Sequence, residues 1–239
     1  MDHGARIEPP AESLTQPSVK SVAESLALGD TLAESALAKA GARIAVFVSG
    51  EGSNLQALLD RHKLIPSWPC TIALVVSDKP WCRGVRRARE AGVPVFAAEP
   101  RAFASKQVYE QAILAKLHEQ GVDGIALAGY MRIVGSVLLQ AYRGRIINLH
   151  PSILPAFPGK SAIADALSAG AKETGVTVHY IDEGVDTGPV IAQWRIPIPD
   201  GIDIDTLSER VHHIEHLLYP VVVGEVAKKW ASEVALEHK

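Results

Sequence analysis

Three polar residues in this sequence have the types and the spacing that acyl transfer to an amine would need. Asn148 and His150 lie in the segment Asn-Leu-His-Pro-Ser, and Asp186 follows in the segment Val-Asp-Thr-Gly-Pro. An amide, an imidazole and a carboxylate brought together can stabilise a developing oxyanion and move a proton. Taken alone, a histidine at a strand end or an aspartate before Thr-Gly-Pro is more often structural, so the prediction depends on the combination.

Alternation along a predicted strand explains how Asn148 and His150 would act together. Residues 144–150 have the pattern of a short β-branched strand, in which residues two apart point to the same face. Pro151 has no backbone N–H, so the strand must end there and the chain must turn. We therefore expect both side chains at the carboxyl end of a strand, where open α/β sheets bind their ligands.

A glycine-rich turn near the start of the predicted domain indicates a site for an anion. The buried-strand pattern of residues 43–49 leads into a turn that contains Gly52, Ser53 and Asn54, and a helical pattern follows. Backbone N–H groups at a helix start suit a phosphate, and the two polar side chains can add hydrogen bonds. The glycine spacing matches neither the dinucleotide fingerprint nor a Walker loop, which favours a simple phosphomonoester. The structural alternative is a tight turn with its N-cap at Ser53.

Alternating strand-like and helix-like patterns predict an α/β fold, with a Rossmann-like, mainly parallel twisted sheet and helices on both faces. The predicted parallel strands cover residues 43–49, 71–77, 94–97, 124–128 and 145–149. One helix is expected to start at residue 55, and further helices are expected over 83–91, 106–120 and 133–142. The helix over 106–120 is expected to have Val108, Ala112 and Ala115 on one side. Strands over 175–181 and 190–196 are expected to pair as an antiparallel extension near the C-terminus, between helices over 162–169 and 206–230.

Length and composition favour one folded domain, residues 42–239, preceded by an extension of residues 1–41. The chain has 239 residues, of which 47% are hydrophobic, enough for a sizeable core. The extension holds six acidic and three basic residues with three early prolines, and we expect it to be flexible or partly helical. It is too acidic for a signal or transit peptide, and no stretch is long enough to span a membrane.

The charge distribution does not predict nucleic-acid binding. Subtracting the extension's three basic and six acidic residues from the totals of 24 and 27 leaves 21 of each sign. One helix carries a basic cluster, which is expected to be a solvated surface. That cluster consists of Arg83, Arg86, Arg87 and Arg89. Cys70 and Cys82 do not suggest a disulfide framework, so we expect a cytoplasmic protein.

A metal site is not expected. His212, His213 and His216 are near-helically spaced, but they are not part of a His-Glu-x-x-His pattern. A nucleophilic triad is also disfavoured, because Ser152 near His150 is not part of a Gly-x-Ser-x-Gly elbow.

Four motifs in unbroken order resemble the phosphoribosylglycinamide formyltransferase family of folate-dependent enzymes. They occupy residues 49–55, 127–133, 148–155 and 186–189. The His-Pro-Ser-x-Leu-Pro segment is shared by folate-dependent formyltransferases in general, and the Ser-Gly-x-Gly-Ser-Asn turn narrows the match. The resemblance covers about residues 42–230. It implies the Rossmann-like formyltransferase fold, and transfer of a formyl group from 10-formyltetrahydrofolate to the amine of 5′-phosphoribosylglycinamide in de novo purine biosynthesis.

The resemblance also implies site residues. The implied catalytic residues are Asn148, His150 and Asp186, and the implied nucleotide-binding residues are Gly52, Ser53, Asn54 and Glu215. The residues implied for the formyl folate are Lys106, Met131, Arg132, Ile133, Val134 and Asn148, with the loop over 182–186. Lys106 replaces an arginine frequent in the family, which keeps the charge but loses the bidentate fork. The implied partners are these small molecules, with no metal, no nucleic acid and no membrane, for a monomer or homodimer.

The expected mechanism is direct attack by the neutral glycyl amine on the formyl carbon. Asn148 and His150 would bind the oxyanion, and Asp186 would favour the protonated imidazole. His179 on the neighbouring predicted strand would support them.

Three alternatives stay open at this point. A formyltetrahydrofolate hydrolase would be expected to carry a regulatory domain longer than residues 1–41, and a histidine in place of Pro151. A methionyl-tRNA formyltransferase would be expected to add a carboxy-terminal RNA-binding domain. A binding-only module would sense folate or nucleotide without turnover, although all three predicted catalytic residues are present.

Overall fold

The computed structural model describes residues 41–237 of the chain. Apart from Gly41, the predicted extension and the helix expected within it lie outside the described residues. Within that range no helix is both long and apolar enough to cross a membrane.

Within residues 41–237, seven strands form a single mixed sheet. They are β1 (Ala42–Val48), β2 (Cys70–Ser77), β3 (Val95–Ala97), β4 (Gly124–Leu127), β5 (Ile146–His150), β6 (Glu173–Tyr180) and β7 (Val190–Pro197). The order across the sheet is β3-β2-β1-β4-β5-β6-β7. The first five strands in this order pair with their neighbours in parallel. The pairs β5–β6 and β6–β7 are antiparallel. This confirms the predicted parallel sheet with an antiparallel extension.

Six α-helices of the described part of the chain surround this sheet. They are α1 (Ser53–Leu64), α2 (Arg83–Glu90), α3 (Lys106–Glu119), α4 (Ser136–Ala141), α5 (Ala162–Ser168) and α6 (Ile204–Glu237), and a 3₁₀ turn covers Pro100–Ala102. The side chains of β1 alternate between two cores, because successive strand residues point to opposite faces. Ile44 and Val46 face a core shared with α1, α2 and α6, whereas Phe47 faces a core shared with α3 and α4. Helices therefore cover both faces, as predicted.

The α3 helix buries a face different from the one that the sequence suggested. Tyr109, Ile113 and Leu117 are buried against the sheet, and Val108 and Ala115 are exposed. Large apolar side chains at i, i+4 and i+8 remove more surface from water than alanines do, so they determine which side packs inward.

The helix predicted over residues 133–142 begins only at Ser136. Residues 129–135, which we call the wall segment, are irregular instead. The backbone N–H of Gly135 donates to the buried carboxylate of Glu110 at 2.7 Å, which fixes the chain just before the helix. Tertiary hydrogen bonding thus overrides the apolar pattern of Ile133 and Val134.

Candidate active site

A cavity opens at the carboxyl end of β4 and β5, where the strands give way to loops. The end of β5, the wall segment and the loop between β6 and β7 line it. Asn148 and His150 project into the cavity from β5, and Asp186 reaches it from the loop. The structure therefore brings together the amide, the imidazole and the carboxylate that the sequence singled out.

His150 lies between a backbone carbonyl and the Asp186 carboxylate. Its Nε2 is 2.9 Å from the carbonyl oxygen of Phe157, and its Nδ1 is 3.4 Å from Oδ2 of Asp186. A carbonyl oxygen only accepts hydrogen bonds, so Nε2 carries a proton in this arrangement. A second proton on Nδ1 would face the carboxylate. The imidazole is 5% exposed, so its contact with the carboxylate is shielded from bulk water.

Asp186 is held from several sides. Its Oδ2 accepts the backbone N–H of Gly159 at 2.8 Å, and its Oδ1 lies 3.4 Å from Nδ2 of Asn148 and 3.6 Å from Nε2 of His179. Hydrogen bonding to His179, the Gly159 N–H and the charges of the two imidazoles hold the pKa of Asp186 below its usual value, against the opposing effect of burial. The carboxylate is therefore ionised at neutral pH.

The Asp186 backbone adopts the left-handed conformation, with φ of 56°. Aspartate tolerates this region better than most residues, and its side chain is thereby turned back toward the cavity. The loop around it is closed by Asp182, whose Oδ1 accepts the Thr187 hydroxyl at 2.7 Å and the Gly184 N–H at 3.0 Å.

His179 lies directly opposite Asn148 in the β5–β6 ladder. Its Nδ1 donates to the carbonyl of its neighbour Tyr180 at 2.8 Å, and its Nε2 lies 3.2 Å from Nδ2 of Asn148. When the ring is neutral, Nε2 accepts a hydrogen bond from the Asn148 amide; when it is protonated, Nε2–H faces Asp186 instead. The His179 side chain is 2% exposed, so water competes little for its contact with the amide.

Of the six residues predicted to contact the formyl folate, four belong to the wall segment and line the cavity, and Asn148 lines it from β5. Met131 and Ile133 are 52% and 66% exposed, whereas Val134 is buried. Arg132 brings a guanidinium to the same opening. These residues give this side of the cavity an apolar rim to which Arg132 adds a cation.

Lys106 lies at the first turn of α3, outside the lining of this cavity. Its Nζ is 3.8 Å from Oε1 of Glu110, which also holds the N–H of Gly135. Lys106 is therefore adjacent to the end of the wall segment, and its contact with a folate stays a prediction.

The glycine-rich turn leads into α1 as predicted, but Gly52 rather than Ser53 is the N-cap residue. Gly52 has φ of 71°, and a Cβ there would lie 2.5 Å from the Cα of Gly84 in α2. Only glycine satisfies both constraints. The turn is further held by Arg87, which donates to the Glu51 carbonyl at 3.0 Å and to its carboxylate at 2.7 Å. The backbone N–H groups at the start of α1 are thus held in a fixed position.

Asn54 and Glu215 meet beside this turn. Nδ2 of Asn54 donates to Oε2 of Glu215 at 2.8 Å, and the glutamate is 5% exposed. Burial raises the pKa of Glu215, and the hydrogen bond from Asn54 opposes that effect. Gly52, Ser53, Asn54 and Glu215 are thereby gathered at the start of α1, outside the lining of the described cavity.

Sequence reasoning missed two backbone groups in the site, the carbonyl of Phe157 and the N–H of Gly159. Both lie in the turn after β5, where Phe157 and Gly159 have φ of 53° and 90°. The cluster of prolines and glycine after His150 indicated a turn, but not which backbone groups it would direct at the imidazole and the carboxylate. No three metal-ligating side chains cluster together within residues 41–237.

Comparison with known proteins places this geometry in a family. Residues 42–223 match the model of the formyl transferase family. A phosphoribosylglycinamide formyltransferase of Bacillus subtilis is 48% identical over 184 residues, which cover 77% of this chain and 94% of that protein. The trifunctional purine biosynthetic protein adenosine-3 of Drosophila melanogaster is 44% identical over 179 residues, 74% of this chain but only 13% of that protein.

A solved structure shows the same fold. The crystal structure of glycinamide ribonucleotide transformylase 1 from Geobacillus kaustophilus aligns with a TM-score of 0.76 and 51% identity, over 78% of this chain and 99% of that one. The matched region includes the strand end, the glycine-rich turn and the loop described above. By sequence and by fold, this chain belongs to the formyl transferase family.

Proposed function

We propose that this chain transfers the formyl group of 10-formyltetrahydrofolate to the glycyl amine of 5′-phosphoribosylglycinamide, giving the formylated nucleotide and tetrahydrofolate in de novo purine biosynthesis. The observation that carries the proposal is the meeting of Asn148, His150 and Asp186 at one cavity on a strand end. The relatives named above support the choice of substrates.

The reaction needs a stabilised oxyanion. The neutral amine attacks the formyl carbon, a C–N bond forms, and the carbonyl oxygen gains negative charge. Asn148 Nδ2 and His150 Nε2 donate to that oxygen. Both donors are engaged within the protein in this structure, by His179 and by the Phe157 carbonyl. An oxyanion is a stronger acceptor than a carbonyl or a neutral ring nitrogen, so its formation redirects the donors.

Asp186 supplies the charge that this step requires. Its ionised carboxylate lies 3.4 Å from Nδ1 of His150 and places a negative charge beside the ring that donates to the oxyanion. As the intermediate collapses, the bond from carbon to the folate nitrogen breaks and the amine proton passes to that leaving nitrogen. Asp186 is positioned to organise a water for this transfer.

The two substrates are assigned to separate parts of the site. The phosphate binds at Gly52, Ser53 and Asn54, where the start of α1 offers N–H groups. Glu215 contacts the nucleotide beside them. The folate occupies the cavity, with its pterin against residues 131–134 of the wall segment and the loop over 182–186, and with Lys106 as a further contact.

The test measures folate-product formation by absorbance, with and without phosphoribosylglycinamide, and detects the formylated nucleotide by mass spectrometry. Turnover that requires the nucleotide supports the transferase. Release of formate without nucleotide would identify a hydrolase instead. Formylation of methionyl-tRNA would identify the tRNA enzyme, and folate binding without turnover would indicate a binding module.

A cytoplasmic location and a monomeric or dimeric state are further predictions. Light scattering coupled to size-exclusion chromatography tests the second.

A further inference from the structure

Ser49 connects the wall segment to the rest of the protein. It follows the last residue of β1 and precedes the glycine-rich turn. Its backbone N–H donates to the carbonyl of Gly129 at 3.1 Å, and its hydroxyl accepts the N–H of Met131 at 2.9 Å. One residue thus contacts the wall segment twice, near its beginning.

The direction of the hydrogen bonds through Ser49 is fixed by Asp78. The Ser49 hydroxyl donates its hydrogen to Oδ1 of Asp78 at 2.6 Å. A carboxylate only accepts, so the hydroxyl's lone pairs are left for the Met131 N–H. Ser49 is 1% exposed and Asp78 is 9% exposed, so water competes little for either bond.

The far end of the wall segment is held independently. Glu110, which is 4% exposed, accepts the Gly135 N–H at 2.7 Å. Between these anchors, Met131 and Ile133 keep their side chains exposed at the cavity. The backbone of the wall segment is therefore fixed from outside the cavity while its inner surface stays open for a ligand.

We propose that Ser49 and Asp78 are positioning residues that hold the wall segment in the conformation that binds the formyl folate. This inference rests on the proposed function, because it takes the folate as the occupant of the cavity. Neither residue is among those lining the cavity. Their effect on the ligand passes through the Met131 backbone.

The test compares Ser49→Ala and Asp78→Ala with the unaltered protein in steady-state kinetics with both substrates. Loss of one buried hydrogen bond predicts that the KM for 10-formyltetrahydrofolate rises about fivefold to tenfold, while the KM for the nucleotide changes less than about twofold. In Asp78→Asn an acceptor oxygen remains. The KM of this variant for 10-formyltetrahydrofolate is therefore expected to lie closer to that of the unaltered protein than to that of Asp78→Ala. The double variant is expected to be no worse than the worse single one, since both act through one hydrogen-bonded chain.

A matched control removes a buried hydroxyl elsewhere. Tyr142 donates to the carbonyl of Val122 at 3.0 Å, and Tyr142→Phe deletes that bond without touching the cavity. This variant is expected to lower the melting temperature and leave both KM values unchanged. Hydrogen exchange at Met131 gives a readout independent of activity, and faster exchange is expected in Ser49→Ala but not in Tyr142→Phe.

Equal rises in both KM values, additive effects in the double variant or unchanged exchange at Met131 would each overturn the inference. Calorimetric titration with tetrahydrofolate separates this failure from failure of the proposed function. If the unaltered protein shows no transfer, the proposed function fails, yet weaker tetrahydrofolate binding in Ser49→Ala would still support the positioning role.

Discussion

The side-chain amide of Asn54 donates to the carboxylate of Glu215 at 2.8 Å, across 161 residues of sequence. This bond joins the first turn of α1 to the middle of α6, and it places an acidic group beside the turn proposed to bind phosphate. A negative charge beside a bound phosphate disfavours binding of that phosphate, unless the carboxylate contacts another part of the nucleotide. We therefore expect Glu215 to face the glycinamide ribose or amine rather than the phosphate.

Replacement of Glu215 by glutamine separates charge from hydrogen bonding. The glutamine oxygen can still accept from Asn54, so folding is expected to be retained, whereas the KM for the nucleotide is expected to rise about tenfold with the loss of a charged hydrogen bond. Steady-state kinetics checks this. An unchanged KM would remove the carboxylate from nucleotide binding.

The same variant predicts an effect of pH on stability. Burial raises the pKa of Glu215 above the 4.5 of the free side chain. At a pH between 4.5 and the folded pKa, the unfolded chain has therefore lost a proton that the folded protein keeps. Stability of the natural protein should therefore fall as the pH rises from 4.5 through the folded pKa, and Glu215→Gln should lack this contribution. Urea unfolding of both proteins across this range measures the difference. A constant difference would contradict the prediction.

Asp186 should show the opposite dependence. Its folded pKa lies below the usual 3.8, so its contribution to stability is present above that value and is lost as the pH falls through the folded pKa. The difference in unfolding free energy between the natural protein and Asp186→Asn is expected to shrink as the pH falls below about 4. Urea unfolding at neutral and acidic pH tests this, and a difference that grows on acidification would exclude it.

Asn148→Ala should reduce kcat by about two to three decades, on the order of 3 kcal/mol, because it removes one oxyanion donor. Folding should be retained, since the side chain is only partly buried and lies at the cavity. Steady-state kinetics checks the change in kcat, and circular dichroism checks that the fold is retained. A near-normal turnover number would remove Asn148 from the oxyanion role.

Gly52→Ala has a matched control in Gly144→Ala. Both glycines have φ near 70°, but a Cβ at Gly144 meets open space, whereas one at Gly52 meets the Cα of Gly84. The control should lose about 1–2 kcal/mol from the backbone conformation alone. Gly52→Ala should lose about 1–3 kcal/mol more through overpacking, and its nucleotide KM should rise. Equal losses would show that α2 does not constrain the turn.

The strands were predicted to within about two residues because buried runs of β-branched residues give a strong local signal. The irregular wall segment was not predicted, because Ile133 and Val134 continue the apolar pattern of the following helix. Their neighbour Gly135 is instead held by Glu110 of another helix. In α3, spacing alone located the helix but not its buried side, which Tyr109 and Ile113 determine through size.

The site shows the same division between local and distant information. Alternation in β5 was enough to place Asn148 and His150 on one face, and the structure confirms it. The backbone partner of Asp186 could not be predicted, since the N–H of Gly159 reaches it only through the turn after β5, whereas support from His179 was expected. The sequence indicated the chemistry of these residues, whereas their hydrogen-bond partners depend on tertiary structure.

The reversal of strand direction at β6 has a consequence for how this site could be altered. Directly opposed residues of an antiparallel pair stand side by side on one face, so Asn148 is matched with His179 and His150 with Thr177. Shifting β6 by a single residue would turn every one of these partners to the opposite face. An insertion or deletion within β6 itself would therefore separate these pairs, and designed variation of this enzyme belongs in side-chain exchange at fixed register.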